Sequence, residues 1–442
     1  MITYTTLYRE GGAELTLAAE TLSEACAERG ERVALFRVES KADWVEVFHT
    51  LNARGDRMSA LYFFGHSGMY GPMFRSIELP EQLSPHEWRA LVGTLPFTED
   101  GEAFFHACRT ARWFAPFFAR TFGVPCSGFH EYTTFSSDPE RFRWPGRSPK
   151  KPLYLMGCRG RKSGGVWASV RKYLGGPLER PKRFTPRRVG EESTYARVAE
   201  LYDEVFRDIR VRRDEWAWLT QAIQGHVSTA PLGAQADGLR VVDLGCGNGA
   251  LLGALCEEGL ISQGLGLDSS PQMIARARAR RRPHPQLDFE VVSSPKLPVE
   301  DASVDLVVSL LSWRYLDWDP LMLELTRVIK PGGRLLVVDM VTAPPALHQL
   351  PALLIDALRA HAQRWTRPRY REALKRLTTH PSWAEMLLYN PIRARHELVW
   401  YFESRFKGRR VETINVGRRA QVLAFDSGPI DPSVYRPPQS YP

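Results

Sequence analysis

The feature that most restricts this chain is the run VVDLGCGNG. An apolar strand passes Asp243 and then runs through Gly245, Gly247 and Gly249 into a helix that begins near Ala250. Glycine tolerates positive φ and lets backbone come close to a ligand, and the next helix offers its positive end at the same place. Strand, glycine turn and helix in that order open a parallel sheet whose connections are helices. The flanking segments continue the alternation. Helices are expected at 194–207 and 211–225, and strands at LRVVDLG, GLGLD, FEVVS, VDLVVSLL and RLLVVDMV. Residues 193–343 therefore read as a doubly wound α/β core with a ligand loop at its first strand tip.

What surrounds this core follows from punctuation and charge. Residues 344–407 are expected to be largely helical, broken by Pro344, Pro345, Pro368, Pro381 and Pro391, and read as a lid or substrate-binding insertion. Over 408–442 the text RVETINVGRRAQVLAFDSG gives two apolar strands about a Gly-Arg-Arg turn, a spacing that permits only an antiparallel hairpin, and then a Pro-rich tail. The first 160 residues form a second α/β domain: strands at 33–38, 60–66, 102–108, 124–129 and 152–158 alternate with helices at 12–29, 41–53, 84–95 and 113–122. Between the two domains lies a basic, Pro/Gly-rich stretch expected to be a linker over 161–192. Residues 141–190 hold fifteen Lys or Arg against one acid, Glu179, so they carry +14 of a formal net charge of +9 and leave the rest near −5. The basicity is thus local, and a solvated linker or a surface for an acidic partner both fit it.

Two carboxylates sharpen the loop. Asp243 stands at the tip of its strand and Asp268 at the tip of the next, in GLGLD. A carboxylate at the second tip can accept both hydroxyls of a ribose. Gly245, Gly247 and Ala250 also satisfy a looser GxGxx(G/A) spacing, so the glycines leave a dinucleotide open. Asp243 leans the other way: it would repel a pyrophosphate, whereas a ligand with an ammonium group would complement it.

VVDLGCGNG, GLGLDSSPQMIARAR, LPVEDASVDLVVSLLSWRYL and RVIKPGGRLLVVDM together resemble, in order and spacing, the successive motifs of class I S-adenosylmethionine-dependent methyltransferases over about 195–428. The resemblance implies a Rossmann-like seven-stranded sheet with an antiparallel last strand and S-adenosylmethionine as cofactor. Asp243 and the loop Gly245 to Gly249 would hold its methionine part, and Asp268 the ribose, with Ser269 and Leu310 beside them. YARVAELYDEVF resembles the N-terminal helix that covers the cofactor in small-molecule members, making Tyr195 and Tyr202 candidates. Where many members carry an Asp that binds adenine, this chain has Ser293 and Ser294. A hydroxyl accepts there more weakly than a carboxylate.

Methyl transfer from an activated sulfonium depends mainly on positioning, so few catalytic side chains are expected. His348, His380 and His396, in or beside the insertion, are the candidate bases, and Trp313, Arg314 and Tyr315 after the fourth strand are candidates for an acceptor pocket.

In the first half, FFGHSG and FFHACRTA end apolar strands on His66 and Cys108. An imidazole near a thiol can generate a thiolate nucleophile. This pair and HACRT resemble the caspase-like clan of cysteine peptidases over about 1–160, although Ser67 separates His66 from Gly68. The resemblance implies a caspase-like domain, active or degenerate, that handles peptides.

The leading expectation is methyl transfer to a small-molecule or peptide acceptor, with the Arg-rich composition and the fusion of two domains pointing to bacterial natural-product chemistry. RNA methylation along the basic linker, or a caspase-like peptidase with an accessory cofactor domain, are the alternatives; no base-flipping motif of Asn-Pro-Pro-Tyr type supports the first of these. No apolar run reaches the roughly 20 residues of a bilayer span, and no export signal is evident, so a cytoplasmic protein without membrane contact is expected. Six cysteines at 26, 108, 126, 158, 246 and 256 form no CxxC pair, and no metal site is expected. Oligomeric state leaves no mark in the sequence.

Overall fold

The structure, a computed structural model, describes residues 1–4, 12–68, 70–75, 80–130, 132–136, 154–158, 180–186, 198–229, 238–280, 283–292, 296–342, 349–383, 392–393, 395–417 and 420–431. Two compact units divide near residue 190.

The first unit is built on β1 (Ile2–Tyr4), β2 (Leu35–Arg37), β3 (Met58–Phe64), β7 (Phe97–His106), β8 (Cys126–Gly128) and β11 (Lys182–Phe184), in the order β2-β1-β3-β7-β8-β11. All pairs are parallel except β11, which runs antiparallel to β8. Two small antiparallel sheets stand beside it: β4 (His66–Gly68), β5 (Gly71–Arg75) and β6 (Pro80–Glu81), and β9 (Tyr132–Ser136) with β10 (Tyr154–Cys158). Alternation along β3 sends neighbouring residues to opposite faces. Phe63 joins Trp44, Phe74, Trp88, Phe105 and Phe114, whereas Phe64 joins Leu15, Leu22 and Phe129.

Among the described residues four helices cover these faces: α1 (Gly12–Glu28), α2 (Lys41–Ala53), α3 (Pro85–Ala90) and α4 (Phe114–Phe122). The starts of α2 and α3 are fixed by capping boxes, Ser40 with Asp43 and Ser84 with Glu87, each of which satisfies two otherwise orphaned N–H groups.

Two expectations are corrected here. The segment 152–158 was expected in the main sheet, but β10 pairs with β9 instead. The sixth place goes to Lys182–Phe184, inside the stretch expected to be linker. Phe184 is the reason: it is buried in the aromatic core, while Lys182 and Arg183 stay exposed and Arg183 pairs with Glu102. A short basic edge strand also discourages pairing with other chains.

The second unit holds β12 (Arg240–Leu244), β13 (Gln263–Asp268), β14 (Leu287–Val291), β15 (Val304–Leu310), β16 (Ile329–Thr342), β17 (Glu412–Val416) and β18 (Ala420–Asp426). Their order is β14-β13-β12-β15-β16-β18-β17. The first five are parallel; β18 enters antiparallel between β16 and β17. The strand order reverses between β12 and β15, and ligands bind at such a switch point, beyond the carboxyl ends of the strands.

The helices are α5 (Ala199–Val205), α6 (Arg213–Thr229), α7 (Ala250–Glu257), α8 (Pro271–Arg280), α9 (Trp318–Val328), α10 (Leu350–Thr366), α11 (Pro368–Thr379) and α12 (Arg395–Arg405). The stretch expected to be a lid has no single role. In α12, Tyr401 and Phe402 are fully buried, with Phe402 stacked 4.3 Å from Phe425. In α11, Ala373 and Leu377 pack with Val198, Val205 and Phe206 around α5. These two helices are core.

Candidate functional site

The site begins where β12 ends. Gly245 has φ 73°, and a Cβ there would lie 2.3 Å from that of Ser312, so both conformation and space demand glycine. Gly247, at φ 54°, has nothing within 4 Å of where a Cβ would stand, so its backbone lies open to a ligand. The N–H groups of Gly245 and Cys246 donate to the Leu267 carbonyl at 2.7 and 3.0 Å, which ties the turn to β13. On the other side Ser312 donates to the Leu244 carbonyl and contacts Ser309 at 2.8 Å.

Asp268 braces the same loop, accepting the Gly247 N–H at 2.9 Å and the Ser270 N–H at 2.8 Å. Burial raises its pKa, and these backbone donors pull it back. Asp243 is different. It is 1% exposed, and its Oδ1 has no hydrogen-bond partner among the described residues. Burial, and then the charge of Asp268, pushes its carboxyl up to about 8. A buried carboxylate without a donor is costly unless a ligand supplies one.

The cavity at the switch point is lined by Asp243, Gly245, Cys246, Gly247 and Asn248 on the loop side and by Tyr202, Phe206, Ile209 and Arg212 opposite; Ala250, Leu251, Leu310 and Leu311 complete it. Leu311, with φ 59°, is a non-glycine residue in left-handed backbone, and such strain gathers at functional sites. The α5 side is latched to the loop through Asp203, whose Oδ1 accepts from Asn248 Nδ2 and from Arg280, both at 2.8 Å.

Among the residues singled out in the sequence, Tyr202, Asp243, Gly245, Gly247 and Leu310 converge on this cavity. Gly249 caps α7 just behind it. Asp268 reaches it through the loop it braces, and Ser269 is exposed. Tyr195, Ser293, Ser294 and His348 lie outside the described residues, as does the side chain of His396. His380 ends α11 and accepts the Ser382 N–H at 3.2 Å, a local cap.

The expected acceptor pocket is corrected. Trp313 is fully buried, its ring 5.3 Å from Phe402, because α12 fills the space above this turn with aromatic side chains. Arg314 is buried as well: its backbone N–H donates to Asp339 Oδ2 at 2.7 Å and its guanidinium pairs with the other oxygen. Tyr315, half-buried, lies under that guanidinium at 4.6 Å. None of the three lines the cavity.

Sequence reasoning missed Asp203, Phe206, Ile209, Arg212, Asn248 and Leu311. Asn248 could have been found inside the glycine loop. Arg212, stacked 3.9 Å from the Phe206 ring, gave no signal, being more than thirty residues from the loop it faces.

In the first unit, Phe64 and His106 are register partners on the adjacent strands β3 and β7, so His66 and Cys108 each follow two residues beyond a paired position. Both are half-buried. Ser67 donates its hydroxyl to the Cys108 carbonyl, and Cys108 Sγ receives the Thr133 N–H at 3.4 Å. Arg109, at φ 59°, sets a strained turn directly after the thiol. His106 is fully buried among Tyr62, Phe64 and Phe104, and burial holds its pKa down to about 3, so it is a neutral core residue.

Among known proteins, the family described as "Methyltransferase domain" matches residues 242–337, entirely within the second unit. An uncharacterized methyltransferase of Mycobacterium tuberculosis is 36% identical over 96 residues, which are 22% of this chain and 37% of that protein. A demethylmenaquinone methyltransferase of Beutenbergia cavernae is 31% identical over 150 residues, 33% of this chain and 59% of the relative. The solved structure of an S-adenosylmethionine dependent methyltransferase from Mesorhizobium loti is 32% identical with a TM-score of 0.23, covering 27% of this chain and 56% of that one. The chain spans less than two thirds of the length of each of these relatives. The matched family supports S-adenosylmethionine as the cofactor.

Proposed function

We propose that the second unit transfers the methyl group of S-adenosylmethionine to a small-molecule acceptor. The observation that carries this reading is the buried Asp243 Oδ1, without a partner among the described residues, beside a glycine loop at the sheet's switch point. Asp243 would hold the ammonium, Arg212 across the cavity would meet the carboxylate, and Asp268 would take the ribose through the lone pairs its backbone donors leave free. When bound, the cofactor supplies a sulfonium that is already activated. What remains for the chain is to orient the reactants and exclude water, which Tyr202, Phe206 and the latch at Asp203 are placed to do. Natural-product chemistry, suggested by the composition and by the joining of two α/β units, is the context we favour.

A second reading concerns the first unit, where the adjacency of His66 and Cys108 supports a caspase-like domain. That unit would bind or cleave a peptide, and a peptide acceptor for the second unit would then follow.

Incubating the full chain with methyl-labelled S-adenosylmethionine and separate small-molecule, peptide and RNA pools tests both readings. We expect label in the small-molecule pool, or in the peptide pool if the first unit presents the acceptor, and much less with Asp243→Ala at the same cofactor concentration. Label confined to RNA, or no transfer by protein that binds the cofactor, would overturn the proposal.

A further inference from the structure

Among the described residues, the most anomalous surface is α10. Five large apolar side chains on this one helix of 17 residues stand in solvent: Leu350 at 49% exposure, Leu354 at 66%, Ile355 at 49%, Leu358 at 70% and Trp365 at 81%. Leu350, Leu354, Leu358 and Trp365 are spaced by four, four and seven residues, so they form a single stripe along the helix, with Ile355 at its margin. Contiguous exposed apolar surface of this kind marks an interaction site. Its surroundings carry a net positive charge. Residues 350–379 hold seven basic residues against two acidic, a net +5, and Arg367 and Arg369 are exposed directly after Trp365.

We propose that α10 docks the chain on an anionic lipid surface, lying in the plane of the headgroups with its apolar stripe buried and the basic residues beside it facing phosphate. An in-plane helix differs from a spanning one. Among the described residues no helix is long and apolar enough to cross a membrane, and a docked amphipathic helix has no need to be. Three features select a lipid surface. The stripe is the convex side of one helix, suited to a flat interface. Trp365, with cations next to it, has the apolar body and polar edge that place tryptophan at headgroup depth. A second copy meeting this face across a two-fold axis would bring two like-charged borders together. The surface lies outside the cavity at the switch point, so this inference stands apart from the proposed methyl transfer.

Sedimentation of the full chain with vesicles of phosphatidylcholine, with and without phosphatidylglycerol, tests the proposal. Binding should favour the anionic vesicles by about tenfold and weaken as salt screens the arginines. The double variant Leu354→Glu, Leu358→Glu should lose about tenfold or more in binding to anionic vesicles. Its affinity for S-adenosylhomocysteine should be unchanged, which shows that the second unit is still folded. Wild type that binds the cofactor product yet stays in the supernatant would overturn the proposal. So would a variant that sediments like wild type, since the basic residues elsewhere in the chain would then explain binding. A dimer abolished by the same substitutions, without vesicle binding, would assign the face to a second copy.

Discussion

The two units place polar side chains at the carboxyl ends of adjacent parallel strands in the same way, yet those side chains differ in what they accept. At β3 and β7 the thiol of Cys108 is held by the Thr133 N–H and its carbonyl by Ser67. At β12 and β13 the loop is equally well braced, but Asp243 keeps a buried oxygen with no donor among the described residues. Each site also has one non-glycine residue in left-handed backbone, Arg109 in the first and Leu311 in the second. Strain and strand-tip position therefore do not distinguish them. The kind of group does: Asp243 is a buried carboxyl, an acceptor that a cationic donor would complement, whereas Cys108 Sγ already receives the Thr133 N–H.

The comparison can be broken most severely at Gly245. A Gly245→Val change must place side-chain atoms where Ser312 already lies and force φ 73° on a β-branched residue, at a cost on the order of 2–4 kcal/mol. Binding of S-adenosylhomocysteine should be lost and the melting of the second unit lowered, as read by calorimetry. Asp243→Ala comes next. Losing a charged hydrogen bond worth about 1.5–3 kcal/mol should weaken that binding about 10- to 150-fold while the protein stays folded. Asp203→Ala removes the bonds to Asn248 and Arg280 and should weaken the same binding about fivefold, near 1 kcal/mol, if the latch orders α5 over the cavity. The smallest effect should come from Cys108→Ala, which belongs to the other site. Cofactor affinity should not change, and a loss comparable to that of Asp203→Ala would show that the two sites are coupled.

Much of the second unit was legible because its signals are local. The glycine loop with Asp243, the strand tip at Asp268 and the hairpin across Gly417 are each written in one short continuous stretch, where spacing alone constrains geometry. The failures share a cause as well. Lys182–Phe184 reads as linker until Phe184 is seen to fill a core formed more than fifty residues earlier. Trp313 and Arg314 look like pocket residues by position, and only the distant Phe402 and Asp339 bury them. Arg212 reaches the cavity because α11 supports α5 around Phe206, a tertiary fact with no periodicity of its own. The exposed stripe of α10 followed the expected helix, but a helical pattern cannot say which of its faces finds a partner inside the fold.

Asp243 also makes the central claim measurable. Its carboxyl stands near 8 in the free folded unit and near 3.8 when unfolded, so the folded state holds the extra proton. Its contribution to the stability of the free unit is therefore fully present below about pH 4 and is lost as pH rises through about 8. A bound ammonium requires the ionised form, so at pH 7 binding must expel that proton. The direct measurement is calorimetric titration with S-adenosylhomocysteine at pH 7 in buffers of different ionisation enthalpy, for wild type and Asp243→Asn. Wild type should release about one proton and the variant none, with weaker binding in the variant. Folded wild type that does not bind, or the same proton release from both proteins, would contradict that claim.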